Sequence, residues 1–251
     1  MKKTKNKIRV NTVVSFLLLN AVVGSAVAVT IEATNLDGLS LGVKIVGPVG
    51  PDVETSFVNT SGEAVGDLSS SVSCPSGFSA CIPPDNPAGT IYTYIHVVTP
   101  GVDLPNDPPF PAPDVSVPFD QVTEFTLGFP ATGFNGVAGY SFGEAVSALV
   151  EDAEISIDLG ADDILTWTLP DASEWGTGEA ISFFWQTTQP PSGPGGRFGI
   201  SNASGQGLAA GGPIPAAPPV AVPEPGTLML ILGVFVLRNY RISRYSKPIT
   251  A

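Results

Sequence analysis

His96 is the only histidine in the sequence, so any catalysis by a histidine base depends on it. A serine hydrolase would pair it with a serine on a sharp turn. Residues 139–143 (GYSFG) formally match the Gly-x-Ser-x-Gly pattern of such a turn. That pattern belongs to an α/β sheet, whereas the segment here is glycine-rich and lacks α/β alternation upstream. We therefore predict that the chain is not an enzyme and that His96 is a strand residue beside Tyr92 and Tyr94.

Cys74 and Cys81 are the only cysteines, and six residues separate them in the loop CPSGFSAC. A metal site is disfavoured because there is no further cysteine and only one histidine. The remaining alternatives are two free thiols and a local disulfide. A local disulfide is favoured if the chain is exported, as the N-terminal pattern described below predicts, and it would stabilise a small loop modestly.

The densest charge in the sequence is a group of six acids between residues 151 and 163. They are Glu151, Asp152, Glu154, Asp158, Asp162 and Asp163. Carboxylates in turns can bind Ca²⁺, but residues 158–163 lack the D-x-D-x-D-G spacing of a dedicated calcium loop. We favour solvated acidic turns over Ca²⁺, and we predict no metal site and no cofactor. Glycoside hydrolysis needs two carboxylates across a cleft, and no pair stands out in the sequence.

Three tryptophans are candidates for a sugar-binding surface, because an exposed indole ring can stack on a sugar. Trp167 and Trp185 lie inside predicted strands, where packing in a core is the more frequent use. Trp175 lies in a glycine-rich loop and is the best candidate for exposure. Together with Tyr92 and Tyr94, it forms our candidate set for ligand contact.

The composition of the 251-residue chain predicts β-structure. Its 28 glycines and 25 prolines argue against a helical bundle, and its 43% apolar content argues against wholesale disorder. Ten short segments have period-2 patterning and many Val, Ile, Thr, Phe and Tyr residues. These candidate strands are Ile31–Asn35, Leu39–Val46, Glu54–Asn59, Ile91–Val98, Val115–Phe119, Val122–Phe129, Ala145–Val150, Glu154–Leu159, Ile164–Leu169 and Ile181–Thr187. They predict an all-β fold, an antiparallel β-sandwich or jelly roll, over residues 29–202.

Three other segments depart from the strand pattern. The segment Pro100–Pro118 is dense in proline, and we expect a long loop that crosses between sheets. The segment Gly143–Glu151 could instead form one or two helical turns. Residues 203–221 are rich in Gly, Pro and Ala, and they predict a flexible stalk.

The predicted strand Ile91–Val98 has two chemically different faces, because successive side chains point to opposite sides of a sheet. We expect the face that begins with Ile91 to enter the core. The face with Tyr92, Tyr94 and His96 is then either a half-exposed aromatic surface or covered by the proline-rich loop.

Charge is distributed unevenly along the chain, whose formal net charge is −12. Residues 29–222 contain only two cations, Lys44 and Arg197, against 22 acids, which makes a formal charge of −20. The other cations flank two apolar runs near the ends, and this indicates membrane targeting at both ends. A domain of charge −20 repels phosphates, so nucleic acid is not a predicted partner.

The N-terminus has the pattern of a secretory signal peptide. Five cations lie within residues 1–9, the apolar stretch Val13–Val23 follows, and Ala26-Val27-Ala28 fits signal peptidase. We predict a signal peptide over residues 1–28, cleaved between Ala28 and Val29. The alternative is an uncleaved anchor, but the apolar run is short for a span of about 20 residues.

The C-terminus combines a proline motif, an apolar run and a basic tail. Val222-Pro223-Glu224-Pro225 precedes the apolar residues 226–237 (GTLMLILGVFVL) and the basic tail 238–247. The cations of that tail are Arg238, Arg241, Arg244 and Lys247. Residues 226–237 predict a short transmembrane helix of about 18 Å, and the basic tail favours a cytoplasmic C-terminus.

This arrangement over residues 222–251 resembles a PEP-CTERM sorting signal, which lies at the C-terminus of exported proteins in Gram-negative-type bacteria. The resemblance implies recognition by an exosortase, a membrane cysteine peptidase or transpeptidase, and processing near Pro223–Pro225. It also implies delivery to the cell surface or the exopolysaccharide matrix. The alternative is a plain C-terminal membrane anchor.

We therefore predict an exported surface or matrix protein with a non-enzymatic structural or interaction role. Its partners would be signal peptidase, an exosortase and the inner membrane before processing, and exopolysaccharide is a further candidate. The alternative function is a carbohydrate-binding or carbohydrate-active extracellular domain. A Ca²⁺-stabilised adhesin is a third possibility.

Overall fold

A computed structural model of the chain describes residues 28–218, except 48, 84, 111–112, 114, 150–153 and 170–173. The predicted signal peptide up to residue 27 and the entire sorting signal therefore lie outside the described residues. Within the described part of the chain, no helix has the length and apolar character needed to cross a membrane.

The described residues are predominantly β-structure. The strands are β1 (Val29–Ile31), β2 (Ala33–Asn35), β3 (Leu41–Lys44), β4 (Val53–Val58), β5 (Ala64–Pro75), β6 (Tyr92–Pro100), β7 (Glu124–Leu127), β8 (Phe134–Tyr140), β9 (Ser156–Leu159), β10 (Leu165–Thr168), β11 (Ile181–Thr187), β12 (Pro191–Asn202) and β13 (Gly205–Pro215). A 3₁₀ turn covers Leu36–Gly38, and one short helix, α1, covers Phe142–Ala148. The prediction of an all-β fold is confirmed.

The strands form one nearly closed sheet in the order β1-β9-β10-β7-β12-β13-β4-β5-β6-β11-β8-β2, with β3 paired to β5. Only Glu32 separates β1 from β2, so residues 29–35 reach both ends of this order. Ile31 pairs with Ile157 in β9, and Ala33 pairs with Ala138 in β8. The β2–β8 pair is parallel, and the other strand pairs are antiparallel.

Aromatic rings from the two halves of the sheet meet in a shared core. Phe125 of β7 stacks on Phe183 of β11 with 4.8 Å between ring centroids, and Trp167 of β10 lies 5.7 Å from the same Phe183 ring. The His96 ring of β6 lies 4.7 Å from the Phe198 ring of β12. Burial of these large side chains supplies most of the stabilisation expected for such a core.

Three predicted segments have a different structure. Residues 205–215, expected in the stalk, form β13, which pairs with most of β12. The segment Ala145–Val150 belongs mostly to α1, in line with its alternative interpretation as a helical turn. Of Val115–Phe119, only Ser116 bridges to Ala64. These segments are short or poor in branched residues, so tertiary pairing decides their conformation.

The aromatic face of β6, which we expected to be half-exposed or covered by the proline-rich loop, lies in the core, and Thr93 and Ile95 of the opposite face are buried as well. Tyr92, Tyr94 and His96 are buried in the core, whereas Ile91, just before the strand, is 38% exposed. Both faces contain apolar residues, so alternation alone does not say which one points inward. The aromatic face points inward because large rings bury more apolar surface and stack on β11. The ring centroids of Tyr94 and Trp185 are 4.6 Å apart.

Candidate functional site

The structure gives Ser141 a capping role. Residues 139–143 do join a strand, β8, to a helix, α1, as the sequence pattern requires. Ser141 is buried, accepts the Glu144 N–H at 3.1 Å, and donates its hydroxyl to Asp37 at 2.7 Å. Its oxygen therefore fixes the start of α1 and the 3₁₀ turn beside it.

His96 is also separated from solvent. Its Nδ1 lies 3.0 Å from Ser70 Oγ, and its Nε2 accepts the indole N–H of Trp185 at 3.2 Å. Complete burial lowers the pKa of His96 to about 3, because the charged imidazolium would lose its hydration. His96 hydrogen-bonds Ser70 and Trp185 and contributes to the core.

All three residues of the candidate set for ligand contact are buried. Trp175, which we expected to be exposed, is 0% exposed, and its Nε1–H donates to the Glu179 carbonyl at 2.6 Å. Tyr92 accepts a hydrogen bond from Asn86 Nδ2 at 3.1 Å, and Tyr94 stacks on Trp185. The expectation that Trp175 is exposed is therefore wrong, and Tyr92 and Tyr94 are buried with it.

The predicted disulfide between Cys74 and Cys81 is present. Cys74 lies near the end of β5, and Asn86 Nδ2 contacts its sulfur at 3.3 Å. An apolar groove of about 600 Å³ runs beside the disulfide loop. Val43, Val46 and Ile82 are among the residues that line it.

The acid group of residues 151–163 is only partly described. Residues 151–153 lie outside the described residues, and Asp162 and Asp163 are exposed. The Asp158 carboxylate accepts the Thr30 hydroxyl at 2.7 Å and so ties β9 to β1. Across the described ranges, no group of three or more His, Cys, Asp or Glu side chains could hold a metal ion.

One group of polar contacts was not predicted from the sequence. It lies between the proline-rich segment and strands β4 and β5. Residues 101–110, which we call the strap, contact the outer side of β4 and β5. Asp107 and Glu54 form a reciprocal pair, in which the Asp107 N–H donates to the Glu54 carbonyl at 3.0 Å and the Glu54 N–H donates to the Asp107 carboxylate at 3.2 Å. The Ser56 hydroxyl donates to Asp103 Oδ1 at 2.8 Å.

Asp67 lies at the centre of this contact. It pairs with Ser56 of β4 and Thr99 of β6, and it is only 2% exposed. The Leu104 N–H of the strap approaches its Oδ1 at 3.4 Å, which is a long hydrogen bond. No sequence motif predicts that Asp67 is buried here, because its surroundings depend on strand register and on the path of the strap.

The electrostatics of this region raise the pKa values of two carboxyl groups. Burial raises the pKa of Asp67 to about 7, and repulsion from Glu54 and Asp103 adds to it, while the Leu104 N–H acts in the opposite direction. Burial also raises the pKa of Glu54, against a hydrogen bond from Ser69. The strap therefore covers the Asp67 carboxyl, which is held away from water, next to the half-buried carboxyl of Glu54.

The chain matches no protein-family model, no curated protein and no solved structure.

Proposed function

We propose that this chain is an exported, exosortase-processed protein of the cell surface or the exopolysaccharide matrix. The observation that carries the proposal is the succession of Val222–Pro225, the apolar run 226–237 and the basic tail. Signal peptidase releases the N-terminus at Val29, and the apolar run holds the protein in the inner membrane. An exosortase then acts near Pro223–Pro225.

The disulfide supports export independently of the two terminal signals. Stable disulfides form in oxidising compartments and are rare in the cytosol of ordinary bacteria. Cys74 and Cys81 are both buried, and their bridge joins the end of β5 to the loop that follows it. The folded domain is therefore suited to the extracytoplasmic side of the membrane.

The role of the domain is structural or interactive, and it is not enzymatic. The single histidine is buried as a neutral core residue, and the candidate aromatic residues contribute to the core. The formal charge of −20 over residues 29–222 favours a soluble domain whose copies repel one another.

Processing is tested by intact mass of the exported protein in a host with its exosortase and in a deletion strain. We expect the deletion strain to accumulate a form that retains residues 226–251. Pro223→Ala with Pro225→Ala should reproduce that form in the parent strain, and the matched control Pro218→Ala with Pro219→Ala should be processed normally. An identical mature mass in both strains overturns the proposal in favour of a plain membrane anchor.

The passive role of the domain is tested with the mature protein on a glycan array. We expect no binding above that of a heat-unfolded sample. Reproducible binding to a defined glycan class would replace the structural role with the carbohydrate-binding one.

A further inference from the structure

The strap is anchored independently at its two ends. The Gly101 N–H donates to the Val65 carbonyl at 2.8 Å. At the other end, the Phe110 ring packs on Gly211 so closely that an added Cβ would lie 2.0 Å from Phe110 Cε1. These two contacts are separate from those that the residues between them make with the sheet.

Three hydrogen bonds to carboxylates hold the middle of the strap, together with the backbone bond from Asp107 to Glu54 and a 3.0 Å contact between Ser56 Oγ and Asn106 Oδ1. Leu104 donates to Asp67, Asp107 exchanges hydrogen bonds with Glu54, and Asp103 accepts from Ser56. A buried carboxylate is stable only when a cation or several donors compensate its charge. Asp67 has one long hydrogen bond from Leu104 among the described contacts, and its acidic neighbours repel it.

We propose that the strap is a pH-sensitive cover, which lies closed on β4 and β5 while the Asp67 carboxyl carries its proton and opens when that proton is lost. The closed state buries Asp67 in its neutral form, which loses little on leaving water. Ionisation requires hydration of the new charge, and opening of the strap supplies it. Acidic conditions therefore favour the closed strap, and neutral to alkaline conditions favour the open one.

The charged groups around Asp67 act in the same direction. On β4, Glu54 faces Asp67, and on the strap Asp103 does so. On β6, the paired residue is Thr99, which does not titrate. Further out, Asp107 and Asp52 raise the pKa of Glu54, and Lys44 opposes them. Lys44 is itself paired with Asp52 at 2.5 Å, so it compensates Asp67 little.

The pH range over which the strap opens follows from the coupling between proton binding by Asp67 and opening. Asp67 in an open, hydrated strap has the ordinary pKa of about 4, whereas the closed strap holds its pKa near 7. The closed state therefore binds more protons between these two values, and the opening equilibrium constant rises with pH by at most about tenfold per pH unit. Above pH 7 both states are ionised, and the constant levels off.

Hydrogen exchange of the full mature protein tests the proposal. The reporters are the Leu104 and Asp107 amides, whose protection factors are measured from pH 5 to 8 after correction for intrinsic exchange. We expect protection to fall between pH 5 and 7 and then to level off. The Phe183 amide in β11 is the internal reference, and we expect its protection not to follow that fall.

Two variants separate titration of Asp67 from other causes. Asp67→Asn mimics the protonated form, and its strap amides should keep constant protection over the same range. The matched control Asp85→Asn removes an exposed carboxylate and should retain the wild-type fall. A wild-type fall that persists in Asp67→Asn, or one shared equally by Phe183, overturns the proposal.

A direct titration keeps the proposal falsifiable if Asp67→Asn does not fold. The ¹³C carboxyl resonance of Asp67 in the wild-type protein should titrate with a midpoint well above 4 and below 7, because opening of the strap lowers the observed midpoint from the closed-state value. A midpoint near 4 would show that the closed strap does not hold the proton and would overturn the proposal.

Discussion

Trp185 donates its indole N–H to Nε2 of His96 across 3.2 Å in the core. An indole nitrogen only donates, so Nε2 must be the unprotonated nitrogen, and the imidazole proton lies on Nδ1. Nδ1 then donates to Ser70 Oγ at 3.0 Å. The register of β5, β6 and β11 thus selects one neutral tautomer of the only histidine.

This tautomer is directly observable by NMR. We expect the ¹⁵N resonances of His96 to report a protonated Nδ1 and an unprotonated Nε2 at every pH from 4.5 to 8, because burial keeps the pKa near 3. A change in either resonance centred near pH 6.5, or a protonated Nε2, would contradict the assignment.

Two neighbouring tyrosines on β6 should respond in opposite ways to loss of the hydroxyl. The Tyr94 hydroxyl is buried and has no hydrogen-bond partner in the described structure, whereas the Tyr92 hydroxyl accepts from Asn86 at 3.1 Å. Tyr94→Phe should raise the free energy of unfolding by up to about 1 kcal/mol, and Tyr92→Phe should lower it by about 1 kcal/mol. Urea unfolding measures both, and destabilisation by Tyr94→Phe would show that its hydroxyl has a partner.

The disulfide should contribute a moderate part of the stability. Cys74 and Cys81 are seven positions apart, and closure of so short a loop is worth about 2–3 kcal/mol in the chain-entropy model. We expect the double variant Cys74→Ala/Cys81→Ala to have a free energy of unfolding lower by about 2–3 kcal/mol. Its stability should no longer depend on reductant. If reductant destabilises the double variant as much as the wild type, the disulfide is not the cause.

Local chemistry explains which features were predictable from the sequence. The disulfide and strands such as β6 and β11 follow from cysteine spacing and from branched or aromatic residues in alternation. In contrast, β5 carries four serines within Ala64–Pro75, and its conformation comes from pairing with β4 and β6 on its two sides. A serine-rich run between turn residues gives no such signal.

The strap contact was not predictable for a similar reason. Asp67 meets Ser56 through antiparallel register, and Leu104 reaches Asp67 across 37 positions of chain. Neither the Asp67–Ser56 pairing nor the Leu104–Asp67 contact follows from a sequence motif or from hydrophobic periodicity. The described residues between Gly101 and Pro118 lie outside the strands, as the predicted loop requires, but the strands form one sheet, so the predicted crossing between sheets is wrong. The contacts of this segment with the sheet depend on the whole fold.

The boundary of the folded domain lies beyond the predicted one. β13 buries Gly207 and Ala209, and Phe198 of β12 packs against Gly212. We expect a protein that spans residues 29–218 to unfold cooperatively in urea, and a protein that ends at residue 202 to lose that transition because β12 and β4 lose a neighbour. Equal stability of the two proteins would restore the interpretation of residues 203–221 as a stalk.

His96 and Asp67 should give the domain opposite pH dependences that offset each other. The folded pKa of His96 is about 3 against about 6.5 in the unfolded chain, so its contribution to stability is complete above pH 6.5 and is lost as the pH falls, at about 1.4 kcal/mol per unit. The folded pKa of Asp67 is about 7 against about 4 in the unfolded chain, so its contribution is complete below pH 4 and is lost as the pH rises towards 7.

Single variants should expose each dependence. Between pH 4.5 and 6.5, we expect the stability of Asp67→Asn to rise more steeply with pH than that of the wild type, because only His96 of this pair then titrates. His96→Gln should show the reverse, a stability that falls relative to the wild type as the pH rises. Urea unfolding at pH 4.5, 5.5 and 6.5 measures both slopes. If both variants shift the slope in the same direction, one of the two groups is not buried in its neutral form, and the sign of each shift identifies which one.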